Sequence, residues 1–205
     1  RQYHVRLHTH LCETKDEENF MLAREGVRPL EYMARLGWLG GDVWFAHGIH
    51  FNDEELRELA RTGTGVAHCP ISNMKLSSGI ARIPEMLALG VPVGLAVDGS
   101  ASNDGSSLME ELRVCYLLHR LTSSEKAPSG YQVLKMATRG SARLLGRIGW
   151  IEAVSHAFCA SCNRARVTST GLLKPCLCYG EGTDLRALLR GGAGDAALVQ
   201  AMAAT

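Results

Sequence analysis

Four short apolar runs, each closing on a polar residue and separated from the next by a stretch of helical spacing, restrict the possible folds of this chain more than any other feature. They are Tyr3 to His8, Asp42 to His47, Gly65 to Cys69 and Val91 to Asp98. Near-continuous apolar runs of this length read as strands buried on both faces, and such strands belong to parallel sheets whose crossovers are helices. Helical spacing fills Glu17 to Leu36, Asp53 to Arg61 and Ile80 to Leu89, with an N-cap expected at Asn52 or Asp53. Two further helices are expected at about Ser107 to Leu121 and Gly130 to Leu145. The predicted class is α/β, built from strand-helix units of a partial (β/α)8 barrel. Four strands precede Gly146, where a complete barrel of this kind needs eight strands and about 250 residues.

Charge and hydropathy narrow the partners. The 22 basic and 21 acidic side chains nearly cancel, so no field draws the chain to nucleic acid or to an anionic membrane, and a small polar substrate is the expected partner. No window approaches the roughly 18 uninterrupted apolar residues of a spanning helix, and Arg1-Gln2-Tyr3-His4 does not open a signal peptide. A cytoplasmic location is expected. The chain begins without Met, inside an expected strand. This predicts a missing upstream half of the barrel, and self-association through the exposed strand edges unless another chain closes them.

In a strand-helix barrel the chemistry sits where strands end. His10 and Glu13 stand three positions apart just past the first expected strand, His47 ends the second and Asp98 ends the fourth. An imidazole and a carboxylate can hold zinc or ferrous iron, which brings the pKa of water toward neutrality, while a second carboxylate moves a proton to a leaving group. An imidazole at His47 can hydrogen-bond the attacking water or a developing oxyanion. His50, His68 and His119 are expected to be structural, hydrogen-bonded histidines, with His68 a possible lining residue of the pocket. Cys12, Cys69 and Cys115 are read as packing residues. Asn52 to Glu55 reads as a helix start with an acidic first turn.

The segments His8-Thr-His-Leu-Cys-Glu-Thr14, Phe45-Ala-His-Gly-Ile-His50, Ala67-His-Cys-Pro-Ile-Ser-Asn-Met-Lys75 and Val97-Asp-Gly-Ser-Ala-Ser-Asn103 resemble, in that order, the C-terminal half of the amidohydrolase superfamily barrel. The nearest branch is that of the guanine-type deaminases and triazine hydrolases. The resemblance covers residues 1 to 146. It implies that His10 and Asp98 are metal ligands, that Glu13 protonates a ring nitrogen, that His47 positions the water or carbonyl, and that Asp98 also takes the proton of the water. The implied reaction is hydrolytic deamination of a purine-like or related nitrogen heterocycle. The family takes two further ligands from a His-x-His pair on its first strand. His8 and His10 imitate that spacing, but the residues after them match the fifth-strand motif.

From residue 147 the composition changes, and Cys159, Cys162, Cys176 and Cys178 fall within 20 positions. Clustered thiols in a chain with no export signal point to metal more than to disulfides; three thiolates suit an iron-sulfur cluster, and a fourth ligand such as Cys178 or His156 would suit zinc. The stretch from Gly149 to Thr168, continued by Gly171-Leu-Leu-Lys-Pro-Cys-Leu177 and Asp184-Leu-Arg-Ala-Leu-Leu-Arg190, resembles the C-terminal region of the radical-SAM GTP cyclase of molybdenum-cofactor synthesis. That resemblance implies a small α+β segment over residues 147 to 205. In it Cys159, Cys162 and Cys176 would hold a 4Fe-4S cluster, and Arg164 and Arg166 would lie near GTP. Arginine suits such a partner because its fork bonds two phosphate oxygens. Three readings result: a metal-dependent aminohydrolase segment, an iron-sulfur and GTP-binding module, and a fused fragment with no function of its own.

Overall fold

A computed structural model describes residues 5–146, 166–168, 170–174 and 182–203. The chain divides into two compact units, Arg1–Gly149 and Trp150–Thr205.

In the first unit, β1 (Leu7–Leu11) leads into α1 (Lys15–Glu25) and α2 (Pro29–Arg35), then β2 (Val43–His47), α3 (Asp53–Thr62) and β3 (Gly65–His68). After these come α4 (Pro70–Lys75), α5 (Ile83–Leu89), β4 (Val93–Leu95), α6 (Ser100–Asn103) and α7 (Leu108–Ser123). A 3-10 turn over Ser124–Lys126 precedes α8 (Gly130–Lys135), a π turn over Met136–Gly140 and α9 (Ser141–Leu145). The four strands form one parallel sheet in the order β1-β2-β3-β4, with His10 opposite Ala46, Ala46 opposite Ala67 and Ala67 opposite Gly94. This is the partial α/β barrel expected from the alternation of apolar runs.

The differences from expectation are local and have visible causes. The first strand lies later than Tyr3 to His8, so His10 sits within it rather than beyond it. The single helix expected over Glu17 to Leu36 is two helices. Gly26 ends α1 in a left-handed conformation at φ 71°, and Pro29, which lacks a backbone N–H, starts α2 where that donor has no intrahelical partner. The helix expected from Ile80 begins at Ile83, next to Pro84, and the last strand is trimmed to Val93–Leu95. The short α4, not anticipated, starts at Pro70 for the same reason as α2.

Local chemistry secures the other boundaries. Asn52 caps α3 through its side chain, which accepts from the Glu55 N–H at 2.9 Å, while Glu55 accepts in return from the Asn52 N–H at 2.8 Å. Glu55 also receives a two-pronged bond from Arg28, both prongs at 2.9 Å, and Arg28 reaches the His50 carbonyl at 2.8 Å and pairs with Glu18. One guanidinium thereby ties α1, α3 and the loop after β2 together. Phe45, Leu56, Leu59, Val66, Ile83, Met86 and Val133 are fully buried between the sheet and its helices. Where the helical run from α8 to α9 crosses β4 the backbones nearly touch. A Cβ at Gly140 would stand 2.1 Å from the Val93 carbonyl oxygen. The Ser141 hydroxyl accepts from the Leu95 N–H at 3.2 Å and lies 2.8 Å from the Leu95 carbonyl, so a side chain serves backbone groups of the last strand.

In the second unit, β5 (Arg166–Val167), β6 (Leu172–Lys174) and β7 (Thr183–Asp184) form a small antiparallel sheet, followed by α10 (Leu185–Arg190) and α11 (Asp195–Ala203). Asp184 caps α10 by accepting from the Ala187 N–H at 2.9 Å. Among the described residues no helix is long and apolar enough to cross a membrane.

Candidate metal centre

Parallel strands all end on the same edge of their sheet, and that edge gathers His10, Glu13, His47 and Asp98. His47, the last residue of β2, and Asp98, three past β4, take left-handed backbone angles of φ 69° and 63°, as does Cys12 just beyond β1 at φ 53°. Such angles are unfavourable for residues bearing a Cβ, and they turn the chain sharply where strand gives way to loop. The loop that follows β2 is fastened to β1 through the Cys12 carbonyl, which accepts from the N–H groups of Ile49 and His50 at 2.9 and 3.0 Å.

His47 is the buried anchor of the group. Its Nδ1 lies 2.8 Å from Asn73 Oδ1, which is an acceptor, so Nδ1 carries the proton and Nε2 presents its lone pair to the site. Nε2 stands 3.7 Å from Glu13 Oε2 and 4.0 Å from Asp98 Oδ2. The His10 ring lies nearly parallel to that of His47, with centroids 5.1 Å apart. Ligand atoms of His10, His47 and Asp98 all fall within 4.8 Å of one another. The imidazole of His10 and the carboxylate of Asp98 are a nitrogen and an oxygen donor of the kind zinc and ferrous iron take, so these residues fit the metal, with the His47 ring beside them.

Asp98 is held by two hydroxyls. Ser72 and Ser102 donate to its Oδ2 at 2.6 and 2.9 Å. Burial pushes this carboxyl toward the neutral form, but the hydrogen bonds from Ser72, the Gly99 N–H and Ser102 outweigh it and keep its pKa below the usual carboxylate value. Asp98 is therefore ionised and ready to ligate at neutral pH.

Behind this layer, Glu111 on α7 joins the two segments that supply the hydroxyls. It accepts from the Ile71 N–H at the start of α4 at 3.2 Å and from the side-chain amide of Asn103. Burial, with Asp98 and Glu110 adding repulsion, raises its pKa to about 7 against the hydrogen bonds from Ile71 and Asn103. The folded chain therefore keeps a proton that the unfolded chain releases near pH 4.5. Its contribution to stability is fully present below pH 4.5 and is lost as the pH rises through 7, an effect of about 3 kcal/mol at 1.36 kcal/mol per pKa unit. Urea unfolding at pH 4.5 and pH 8 is expected to show this loss in the natural chain and its absence in Glu111→Gln.

The structure thus brings together His10, Glu13, His47 and Asp98. It leaves His8 aside: this ring stacks on Trp44 at 3.5 Å and is exposed, and it is not part of the donor group. His50 is structural as expected, its Nε2 3.0 Å from the Ser78 carbonyl oxygen. Ser72, Asn73, Ser102 and Glu111 were not singled out by sequence reasoning. The first three lie inside the motifs around Ala67 and Val97, but their roles depend on which acceptor they meet across the sheet edge. Glu111 carries no motif signal at all. Cys159, Cys162, Cys176 and Arg164 lie outside the described residues, and of Arg166 the described part is its backbone in β5.

In comparison with known proteins, residues 1–157 match the amidohydrolase family. The chain is 54% identical over 146 residues to an 8-oxoguanine deaminase of Pseudomonas aeruginosa, covering 71% of this chain and 32% of that protein. It is 47% identical over 150 residues to a hydroxydechloroatrazine ethylaminohydrolase of a Pseudomonas species, covering 72% and 31%. Among solved structures it is similar to a zinc complex of an atrazine chlorohydrolase from Arthrobacter aurescens, with a TM-score of 0.69 and 38% identity over 71% of this chain and 33% of that one. The chain spans about a third of the length of these curated relatives.

Proposed function

Because the chain belongs to the amidohydrolase family, we propose that residues 1–146 carry the metal-binding and proton-transfer part of a deaminase that acts on a purine-like or related nitrogen heterocycle. The observation that carries this reading is the convergence of His10, His47 and Asp98 within 4.8 Å, with Glu13 beside His47. His10 and Asp98 would hold zinc or ferrous iron, and the bound ion would supply acidified water and polarise the carbon under attack.

The remaining chemistry belongs to side chains. His47, its Nδ1–H committed to Asn73, has only a lone pair to offer at Nε2 and so accepts a hydrogen bond from the attacking water. Asp98, ionised and steadied by two serine hydroxyls on Oδ2, takes the proton that the water gives up. Glu13 is about a quarter exposed, open enough to meet a ring nitrogen and to return a proton to the departing amine. The new carbon-oxygen bond forms first, with the ring nitrogen taking up a proton; the carbon-nitrogen bond to the amino group then breaks, and the protonated amine leaves as ammonia. The relatives named for 8-oxoguanine and for a triazine amine support an amidine-like ring carbon as the target.

Ammonia release from 8-oxopurines and amino-triazines by the zinc-loaded chain tests the reading. Glu13→Gln is expected to lower turnover by about 100-fold or more with zinc content unchanged, the usual weight of a positioned acid-base group. Absence of zinc-dependent ammonia release from every substrate, or full activity in Glu13→Gln, overturns it.

A further inference from the structure

A second cluster lies within the same unit and shares no residue with the hydrolytic group. His68, the last residue of β3, faces Cys115 and His119, which stand four positions apart on one face of α7. All three are fully buried. We propose that His68, Cys115 and His119 form a second metal site, which takes zinc or a similar borderline-soft divalent ion and clamps α7 to β3.

Three observations support the site. His68 Nε2 and His119 Nε2 lie 3.2 Å apart; nitrogens sharing one tetrahedral zinc at about 2.0–2.1 Å stand ~3.3 Å apart, so the pair is spaced for a common ion. Donor atoms of the two histidines and of Cys115 all fall within 4.8 Å of one another, and Cys115 is a free thiol. Nδ1 of His68 and Nδ1 of His119 have no hydrogen-bond partner that would fix the tautomer, so each can carry its ring proton there and leave the two facing Nε2 lone pairs for a common ion.

The protonation states agree with this geometry. Burial holds both imidazoles below their usual pKa, which keeps them neutral and their lone pairs available. Burial and nearby Glu111 push the Cys115 thiol up to about 12 without metal, so binding would release one proton from sulfur, as coordinating thiols do. Two nitrogens and one sulfur favour a borderline-soft ion over magnesium or calcium, which take oxygen. The hydrolytic group, with its carboxylate and no thiol, is chemically distinct. The proposal is independent of the catalytic reading.

Cobalt(II) separates the two sites, because only a thiolate ligand gives a sulfur-to-cobalt charge-transfer band in the near ultraviolet. The full chain, with Cys159, Cys162, Cys176 and Cys178 changed to serine to silence those thiols, is refolded with cobalt under reducing, anaerobic conditions. The expected result is a charge-transfer band that zinc displaces, that disappears in Cys115→Ser, and that is accompanied by the loss of one bound ion per chain. Zinc is also expected to raise the melting temperature of the parent by more than that of Cys115→Ser or His119→Asn. Far-ultraviolet circular dichroism establishes that each variant is folded, and Cys115→Ala replaces Cys115→Ser if the latter is not. A folded parent with no thiolate band, or a band that survives the loss of the Cys115 thiol, overturns the proposal.

Discussion

Asp98→Asn is expected to weaken zinc retention at the hydrolytic group by about 100-fold or more. The amide oxygen still accepts from Ser72 and Ser102, which donate at 2.6 and 2.9 Å in the natural chain, so the loop keeps its hydrogen bonds. What disappears is the negative charge that Asp98 places beside the His10 and His47 rings. Substitutions that disturb only the partners of a metal ligand already cost about 10- to 100-fold in affinity, and loss of a charged ligand belongs at or above that range. Equilibrium dialysis in a chain already carrying Cys115→Ser, and serine at the four cysteines from Cys159 to Cys178, confines the measurement to this group. Unchanged retention would remove Asp98 from the ligand set. Ser72→Ala is the informative companion: it leaves the charge and removes one of the hydroxyls that hold it, so its effect should be the smaller of the two.

Gly140→Ala is expected to be the most destabilising single-methyl addition in the first unit, at about 3 kcal/mol by urea unfolding, the upper end of the usual range for overpacking. Its Cβ would meet the Val93 carbonyl oxygen at 2.1 Å and stand 3.3 Å from the Gly94 Cα. Both are backbone atoms and cannot turn aside as a side chain would. Relief requires lifting the α8–α9 run off β4, which would also part Ser141 from Leu95. Gly130→Ala supplies the opposite case on the same helical run. A Cβ there meets nothing within 4 Å, and alanine favours a helix over glycine by up to about 1 kcal/mol. A small gain at Gly130 and a large loss at Gly140 would confirm that close approach, rather than helix propensity, decides the second. Equal effects would refute it.

The alternation of strand and helix is legible in the residues alone, because near-continuous apolar runs such as Val43 to His47 and Gly65 to His68 are the pattern of strands buried on both faces of a parallel sheet. The gathering of His10, His47 and Asp98 at one edge was legible too, since each lies at or near the end of an apolar run and parallel strands end on the same edge. Neighbour-to-neighbour effects at Gly26, Pro29 and Pro70 lay in the sequence too, but their strength in breaking helices emerged only with the structure. How the site is held follows from contacts between elements. That Asn73 fixes the His47 proton, that Ser72 and Ser102 share one oxygen of Asp98, and that Glu111 spans Ile71 and Asn103 all depend on contacts between residues up to 40 positions apart. The same is true of His68, Cys115 and His119, read separately as a structural histidine, a packing cysteine and another structural histidine. Hydrophobic periodicity records which face of an element is buried, but a polar residue on a buried face takes its role from the partner that folding places opposite it, and that partner lies on another element.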